Sequence, residues 1–331
     1  MRRYLARKLV TYSVTFFAAV TIDWAIPHLM PGDPIRTLLA NIAIRDQHTY
    51  DLLYKHFAQS FRTDLPLWKQ YYYFWVSLFH GDLGISIMNF PTPVTTLIMR
   101  SAPYTLALLI PAILLSWYAG NKTGAMAARR KSFDNTILPV SYALSSTPYL
   151  WFAMLLAWLF AFIWRLFPIG FGYDPTMIRA WSWPFVLNLL YHWFLPFMSL
   201  FLVSFGGWAI GMRNMIIYEL ESDYSHYLEA LGAPRRLVRK CAYRNALLPQ
   251  ITGLALAIGA VLAGALVTEI VFAYPGLGSQ IYRAISTKDY FVIQGVFLFI
   301  IIGTLVANFI VDVIYVFVDP RTRIGMQGGA A

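Results

Sequence analysis

Six apolar stretches, each close to the length of a membrane-spanning helix, constrain this chain more than any other feature of its sequence. A bilayer core of about 30 Å requires roughly 20 apolar residues per helix. Hydrophobic residues make up 58% of the 331 residues and charged residues only 13%, so polar side chains are too few to cover a soluble core of this size. The sequence therefore predicts an all-α polytopic membrane protein with six transmembrane helices. The predicted spans are Leu9 to Met30, Tyr104 to Tyr118, Ile137 to Trp164, Leu189 to Ile210, Ile251 to Phe272 and Phe291 to Val318.

Two of these spans allow another interpretation. The second is short and is compatible with a start a few residues earlier. The first follows Arg2, Arg3, Arg7 and Lys8, which are typical of the basic region of a signal peptide. Its apolar run is too long for a signal peptide, however, and no clear small-residue cleavage site precedes Pro27. We therefore interpret it as a permanent helix.

The distribution of Lys and Arg predicts the orientation of the chain. Most of the 26 basic residues lie in segments that six alternating spans place on one side: the two ends, residues 122–131 and residues 213–244. Because basic residues accumulate in cytoplasmic segments, we expect a multi-pass protein of the cell membrane with both termini in the cytoplasm. The net charge of +10 then reports topology, and no nucleic-acid partner is expected.

A long segment outside the membrane, residues 31–102, contains the run LPLWKQYYYFWVSLF. Within it Leu67, Tyr71, Phe74 and Leu78 repeat at helical spacing, which predicts an amphipathic helix on or above the outer membrane surface. An interfacial helix with an aromatic belt and a helix that takes part in gating or docking both fit this pattern.

A polar segment inside, residues 213–249, is predicted to form two helices at about 216–231 and 234–248. Gly232 is suited to the end of the first helix and Pro234 to the first turn of the second. We expect one apolar face on each helix and a basic stripe on the second. The apolar face of the first helix consists of Leu220, Tyr224, Tyr227 and Leu231, and that of the second of Leu237, Cys241 and Leu248. The basic stripe consists of Arg236, Lys240 and Arg244. An enlarged positive-inside loop would need no such paired helices, so a cytoplasmic partner explains them better.

The run YLEALGAPRRLVRKCAYRNALLP, from Tyr227 to Pro249, resembles the cytoplasmic coupling segment of ATP-binding cassette (ABC) importer permeases of the oligopeptide/dipeptide family. Further motifs of that family follow in the same order along nearly the whole chain: MPGDP, LPLWKQY, HGDLGIS, TEIVFAYPGLG, DYFVIQG and VDVIYVFVDPRTR. The resemblance implies a type I ABC importer permease. In that fold a large extracytoplasmic loop joins helices 1 and 2, and a cytoplasmic coupling helix lies between helices 4 and 5.

The resemblance also implies partners: a second homologous permease, two ABC ATPase subunits, an extracytoplasmic substrate-binding protein and the lipid bilayer. The sequence has no GxxxxGK[ST] phosphate loop, so ATP and Mg are expected on the ATPases, with no cofactor on this chain and no enzymatic role for it. Relatives often have a glutamate near His226 and a basic residue near Glu229 and at Leu231, so the pairing at the ATPase is expected to differ in detail here. The resemblance implies that the ATPase contact consists of His226, Tyr227, Glu229, Ala230, Gly232, Ala233 and Arg236.

The predicted spans and segments divide the chain into three parts. Residues 1–30 form the cytoplasmic N-terminus and first helix, and residues 31–102 form an extracytoplasmic loop domain. Residues 103–331 form the permease core, including the coupling segment 213–249.

Three carboxylates fall inside predicted spans, where charge is costly and points to function. They are Asp23, Glu269 and Asp312, for which structural and functional roles both stay open. Small residues four apart in the fifth span indicate close helix packing. No catalytic or metal-binding cluster is apparent. The family resemblance makes Glu269, Gly259, Gly264, Tyr274 and Pro275 candidates for a gate or translocation pathway.

A stand-alone carrier driven by an ion gradient is the alternative function. Such carriers usually have internal repeats with paired broken helices and a mid-membrane ion site, and neither is recognisable here. Peptides are the first expected substrate, and oligosaccharides or nickel are alternatives within the same architecture.

Overall fold

The computed structural model describes residues 2–40 and 46–318, and within these ranges the chain folds into helices without a β-strand. A single antiparallel bridge pairs Ile85 with Pro93. The helix Tyr149–Leu156 continues directly into a π-helical segment, Ala157–Ile163. The helices are α1 (Arg2–Leu29), α2 (Pro34–Ala40), α3 (Gln47–Ser60), α4 (Leu67–Phe79), α5 (Val94–Ala127), α6 (Lys131–Ser146), α7 (Tyr149–Leu156), α8 (Trp183–Leu220), α9 (Asp223–Ala230), α10 (Arg235–Val271), α11 (Leu277–Thr287) and α12 (Tyr290–Val318).

Four helices in the described part of the chain are long and apolar enough to cross a membrane. They are Lys8–Leu29, Val94–Ala127, Trp183–Leu220 and Tyr290–Ile310, which match the first, second, fourth and sixth predicted spans. The second span begins at Val94, ten residues before the predicted start at Tyr104. The predicted fifth span lies in α10, where the side chains of residues 255 and 258–265 are outside the described residues. A count of six spans therefore stays a prediction.

The third predicted span, Ile137 to Trp164, is not one straight helix. Its two halves, Lys131–Ser146 and Tyr149–Ile163, are bent by 103°, and they amount to a fifth span only if the bent pair crosses as one unit. Thr147 at the break has an extended backbone, with ψ at 128°. Pro148 causes this geometry, because a proline ring disfavours the helical backbone at the residue before it.

The first of two structural units comprises Met1–Tyr104 and Pro275–Leu305. Here α4 covers the run predicted to form an amphipathic helix and packs along α1, where the rings of Trp24 and Tyr71 lie 5.0 Å apart and those of Phe17 and Trp75 5.2 Å apart. A separate apolar cluster joins α2, α3 and the segment after α4. It contains Ile35, Leu38, Leu39, Ala58, Phe61 and Ile87.

A buried carboxylate fastens the segment after α4 to the start of α12. Asp289 accepts hydrogen bonds from the Ser86 hydroxyl at 2.5 Å and from the backbone N–H groups of Ile87 and Met88, each at 3.2 Å. The side chain is 1% exposed. Three hydrogen-bond donors therefore offset the cost of burying this polar group.

The second unit comprises Thr105–Tyr274 and Val306–Ala331, and α8 is packed closely by its neighbours there. A Cβ added at Gly120 of α5 would lie 2.9 Å from the carbonyl oxygen of Phe205 in α8. One added at Gly206 of α8 would lie 2.5 Å from the carbonyl oxygen of Ser141 in α6. Gly124, four residues after Gly120, faces the backbone of Ala209 even more closely. These glycines allow the backbones to approach, as small residues four apart do in membrane helices.

Polar contacts add to this packing. The Trp117 indole of α5 donates to the carbonyl of Gln250 in α10 at 3.0 Å. The Arg213 guanidinium of α8 forms a two-pronged ion pair with Asp134 of α6, with Nε–Oδ1 at 3.0 Å and Nη2–Oδ2 at 2.6 Å. Both side chains are largely buried, so the pair is screened less than a surface pair.

Candidate functional site

The predicted coupling segment folds differently from the expected pair of helices. The first predicted helix, 216–231, is interrupted: α8 ends at Leu220 and the short helix α9 covers only Asp223–Ala230. Ser222 between them has an extended backbone and begins α9 as its N-cap residue. The second predicted helix is not separate either, because α10 runs without a break from Arg235 through Pro249 to Val271. One helix therefore includes both the cytoplasmic helix and the predicted fifth span.

The turn after α9 is built as the sequence predicts. Gly232 has a φ of 77°, in the left-handed region that glycine adopts without a steric penalty. Its N–H bonds to the carbonyl of Glu229 at 2.9 Å, and the N–H of Ala233 bonds to that of Leu228 at 3.0 Å. This is a Schellman termination of α9. Pro234 then precedes the first residue of α10 as its N-cap.

Nearly all the predicted coupling residues lie on the surface of the chain. Ala233 is half-buried, and the others are exposed. Tyr227 and the neighbouring Leu231 are each 65% exposed, which is unusual for large apolar side chains unless a partner or lipid covers them. The exposed set is His226, Tyr227, Glu229, Ala230, Gly232 and Arg236.

Hydrogen bonds on the inner side of α9 fix its position. The Ser225 hydroxyl, which is fully buried, donates to the backbone carbonyl of Glu219 at 2.7 Å. The Tyr224 hydroxyl donates to the Glu219 carboxylate at 2.8 Å, and the Asn245 amide of α10 reaches the same carboxylate at 3.3 Å. Burial raises the pKa of Tyr224, and this bond to Glu219 adds to the effect. Sequence reasoning missed Glu219, Ser225 and Asn245; the Ser222-x-x-Ser225 pattern was the available signal for the start of α9.

Several residues of the two expected apolar faces are exposed. Between Arg235 and Leu248 of α10 the buried residues are Val238, Ala242 and Ala246, while Leu237 and Leu248 are each 44% exposed. Small residues mark the contact face because α10 packs close to its neighbours; Ala246 joins a buried cluster with Ala125, Met212 and Ile216. On α9 the apolar Tyr227 and Leu231 point outward. The basic stripe is confirmed as exposed: Arg236, Lys240 and Arg244.

The candidate gate residue Glu269 lies in a polar layer near the end of α10. Its side chain is fully buried and accepts a hydrogen bond from the Thr105 hydroxyl of α5 at 2.6 Å. Beside it, Thr268 bonds to the Tyr149 hydroxyl of α7, which also lies 3.1 Å from the Ser199 hydroxyl of α8. Four helices thus meet through polar side chains at this level. No sequence pattern pointed to Thr105, Tyr149 and Ser199.

The remaining candidates are placed less closely together. Tyr274 is 1% exposed, and its N–H bonds to the carbonyl of Glu269 at 2.8 Å, while Pro275 is half-buried. Gly259 and Gly264 fall in the part of α10 whose side chains lie outside the described residues. Asp312 is half-buried. Asp23 is 2% exposed, and neither carboxylate oxygen has a hydrogen-bond partner among the described residues.

Comparison with known proteins agrees with this geometry. Residues 112–324, which include α9, α10 and the polar layer at Glu269, match the family described as binding-protein-dependent transport system inner membrane component. The chain belongs to this family of ABC importer permeases.

Its curated relatives match this permease over almost their full length. The probable D,D-dipeptide transport system permease protein of Escherichia coli K12 is 32% identical over 325 residues, which is 93% of each chain. The dipeptide transport system permease protein of the same strain is 29% identical over 343 residues, covering 98% of this chain and 99% of the relative. The di/tripeptide transport system permease protein of Pseudomonas aeruginosa is 30% identical over 340 residues.

This geometry suits a permease in which internal hydrogen bonds fix one side of the predicted coupling segment and the other side is exposed. Internal hydrogen bonds to Glu219 fix α9 on one side. The exposed face of α9, the Gly232 turn and the start of α10 form one continuous surface. A single helix, α10, joins this surface to Glu269.

Proposed function

We propose that this permease, together with a second homologous permease, forms the translocation pathway for peptides delivered by an extracytoplasmic binding protein. The peptide assignment is supported by relatives named for dipeptide, D,D-dipeptide and di/tripeptide transport that align over nearly the whole chain. Oligosaccharides or nickel are the alternative cargoes of the same architecture.

The observation that carries the mechanism is the exposed turn at Gly232. Two ABC ATPase subunits, which bind the ATP and Mg, would each engage one permease, and on this chain the contact would be the surface of His226, Tyr227, Glu229 and the following turn. The chain itself is then a non-catalytic subunit without a cofactor. ATP binding closes the ATPases beneath the membrane, and the two permeases alternate between outward-open and inward-open states.

The proposed topology has six spans and both termini in the cytoplasm of the cell. Residues 1–30 supply the first helix, residues 31–102 form an extracytoplasmic domain and residues 103–331 form the core. The accumulation of Lys and Arg in the coupling segment supports this orientation.

The first test is affinity purification of the permease from its native membranes in mild detergent, followed by mass spectrometry. We expect two phosphate-loop ATPases, a second permease and a binding protein, and the small molecule carried by that binding protein should be a peptide. An oligosaccharide or nickel there would change the substrate and leave the importer in place. Recovery of the chain alone, with transport under an ion gradient, would overturn the importer itself.

A charge reversal tests the coupling surface. Glu229→Arg should release the ATPases from the purified complex and abolish ATP-driven transport, while the protein still inserts. Asp64→Arg is the matched control, because Asp64 is also exposed but lies in the extracytoplasmic segment between α3 and α4. Unchanged coupling in Glu229→Arg would refute the assignment of this surface.

A further inference from the structure

A cavity of about 250 Å³ lies within the first structural unit, apart from the coupling segment and from Glu269. It is enclosed by α1, the end of α3, α4, the segment after α4 and the start of α12. Most of the wall is aromatic or aliphatic: Trp24, Phe61, Phe74, Phe291 and Leu298. Pockets for drug-sized ligands measure roughly 300–1,000 Å³, so this cavity lies just below that range and suits a ligand smaller than a drug-sized molecule.

The cavity is preformed by hydrogen bonds that hold its polar side chains. The His28 ring contacts the carbonyl of Trp24 at 2.7 Å through Nδ1 and the amide oxygen of Gln70 at 3.1 Å through Nε2. The Gln70 amide nitrogen in turn donates to the carbonyl of Leu65 at 2.7 Å. On another wall Asp289 fixes the segment that contains Ile87. A fixed wall of this kind lowers the ordering cost of binding.

Arg62 is the one arginine or lysine among the lining residues, and its backbone is unusual. It occupies the left-handed position after α3, with φ at 57°, and its N–H bonds to the carbonyl of Gln59 while the N–H of Thr63 bonds to that of Ala58. This is the position at which helix ends favour glycine, because other side chains are strained there. The chain nevertheless has arginine at this point.

The Arg62 side chain is placed to receive an anion. Its guanidinium carbon lies 4.5 Å from the centre of the Tyr73 ring, which orients the planar group over an aromatic face of the cavity wall. No carboxylate of the described residues lies within ion-pair distance of it. A guanidinium without an acidic partner presents paired N–H donors that match a carboxylate.

We propose that this cavity binds a short peptide through its C-terminal carboxylate, with Arg62 as the carboxylate receptor and the aromatic wall as the site of an apolar side chain. The proposal rests on the proposed function, since it names a second place at which the cargo is held. Charge complementarity favours this occupant: an uncharged oligosaccharide offers no anion. Among the lining residues, His28 is the one histidine and Asp82 the one carboxylate, and no cysteine is present. This wall therefore does not resemble a nickel site.

The test uses the complete importer purified from native membranes and a photoreactive dipeptide, alanyl-photoleucine, compared with its C-terminal amide. Under illumination the acid should label residues of the cavity wall, identified by peptide mass spectrometry, and the amide should label about tenfold less. That ratio corresponds to the loss of one charge-assisted bidentate contact.

Three variants complete the test. Arg62→Gly removes the guanidinium at a position that prefers glycine, so misfolding is not expected, and labelling should fall about tenfold. Arg62→Lys keeps the charge without the planar fork and should fall between the two. Arg283→Ala removes an exposed arginine of the same unit that does not line the cavity, and its labelling should equal that of the wild type.

Each failure has its own meaning. Equal labelling by the acid and the amide, or wild-type labelling in Arg62→Gly, would overturn the inference. Peptide transport by the wild-type importer without labelling of the cavity would overturn the inference alone and leave the proposed function standing. Absence of peptide transport by the wild-type importer would overturn the proposed function, and the inference with it.

Discussion

Gly232 allows two explanations of a coupling-segment glycine to be separated. The first is backbone conformation: the residue sits at φ 77°, where an L-residue costs about 1–2 kcal/mol. The second is close approach by a partner, which any side chain would block. Apart from the two neighbouring residues, no atom of the described residues lies within 4 Å of a Cβ added at this position, so a substitution meets no clash with them.

The backbone explanation predicts an order among substitutions. Gly232→Ala should destabilise the turn by about 1–2 kcal/mol, which is a five- to thirtyfold fall in the ratio of closed to open turn. Gly232→Asn should cost less, because asparagine tolerates the left-handed region, and Gly232→Val should cost more, because it is β-branched. Two hydrogen bonds worth about 1 kcal/mol each hold this turn closed, so the valine variant should open it.

The assay is the amount of ATPase retained on the purified permease, together with ATP-driven uptake in proteoliposomes. Both should fall in the order glycine, asparagine, alanine, valine. Gly81 provides a matched control, since it has a φ of 73°, ends α4 with the same pair of hydrogen bonds and also has no atom within 4 Å of an added Cβ. Gly81→Ala should retain the ATPases fully. If Gly232→Asn is as defective as Gly232→Val, the backbone explanation is refuted and close approach by a partner replaces it.

Three further predictions concern stability. Asp289→Asn should lower the free energy of unfolding by about 2–3 kcal/mol, because charge-assisted bonds to a buried carboxylate are weakened. Thermal unfolding in detergent measures this loss of stability, and an unchanged melting temperature would contradict the prediction. Gly124→Leu should abolish folded protein on size-exclusion chromatography because the backbone of Ala209 occupies the space, whereas Gly207→Ala, with nothing within 4 Å, should not; normal yield of the first would refute the close packing. Asp134→Asn and Arg213→Gln should show a coupling of about 1–2 kcal/mol in a double-mutant cycle, and strictly additive effects would exclude a stabilising ion pair.

Apolar length and proline position made the membrane helices predictable, but only in part. Pro148 indicated a break at Thr147. Because the apolar run continues across this position, one unbroken span was predicted instead. Pro249 misled in the opposite direction, since α10 passes through it without ending. Prolines are tolerated inside membrane helices where other groups satisfy the freed backbone, so a proline alone does not decide an end.

The faces of the helices were harder to predict than the helices themselves. Apolar periodicity identifies a buried face when the other side meets water, but here lipid or a partner also takes large apolar side chains. Leu237 and Leu248 are exposed, while the smaller Val238 and Ala242 are buried. The partner of Glu269 was beyond sequence reasoning, because Thr105 lies 164 residues away along the chain.

The incorrect separation of the coupling helix from the fifth span matters most for mechanism. With 37 residues and about 1.5 Å per residue, α10 extends about 55 Å from Arg235 to Val271. Its first turn adjoins the Gly232 turn, and near its last turn Glu269 bonds to Thr105. A hinge between two helices would absorb a movement of the docking surface, whereas one helix passes it on. The backbone is therefore continuous between the predicted ATPase contact and the buried polar layer.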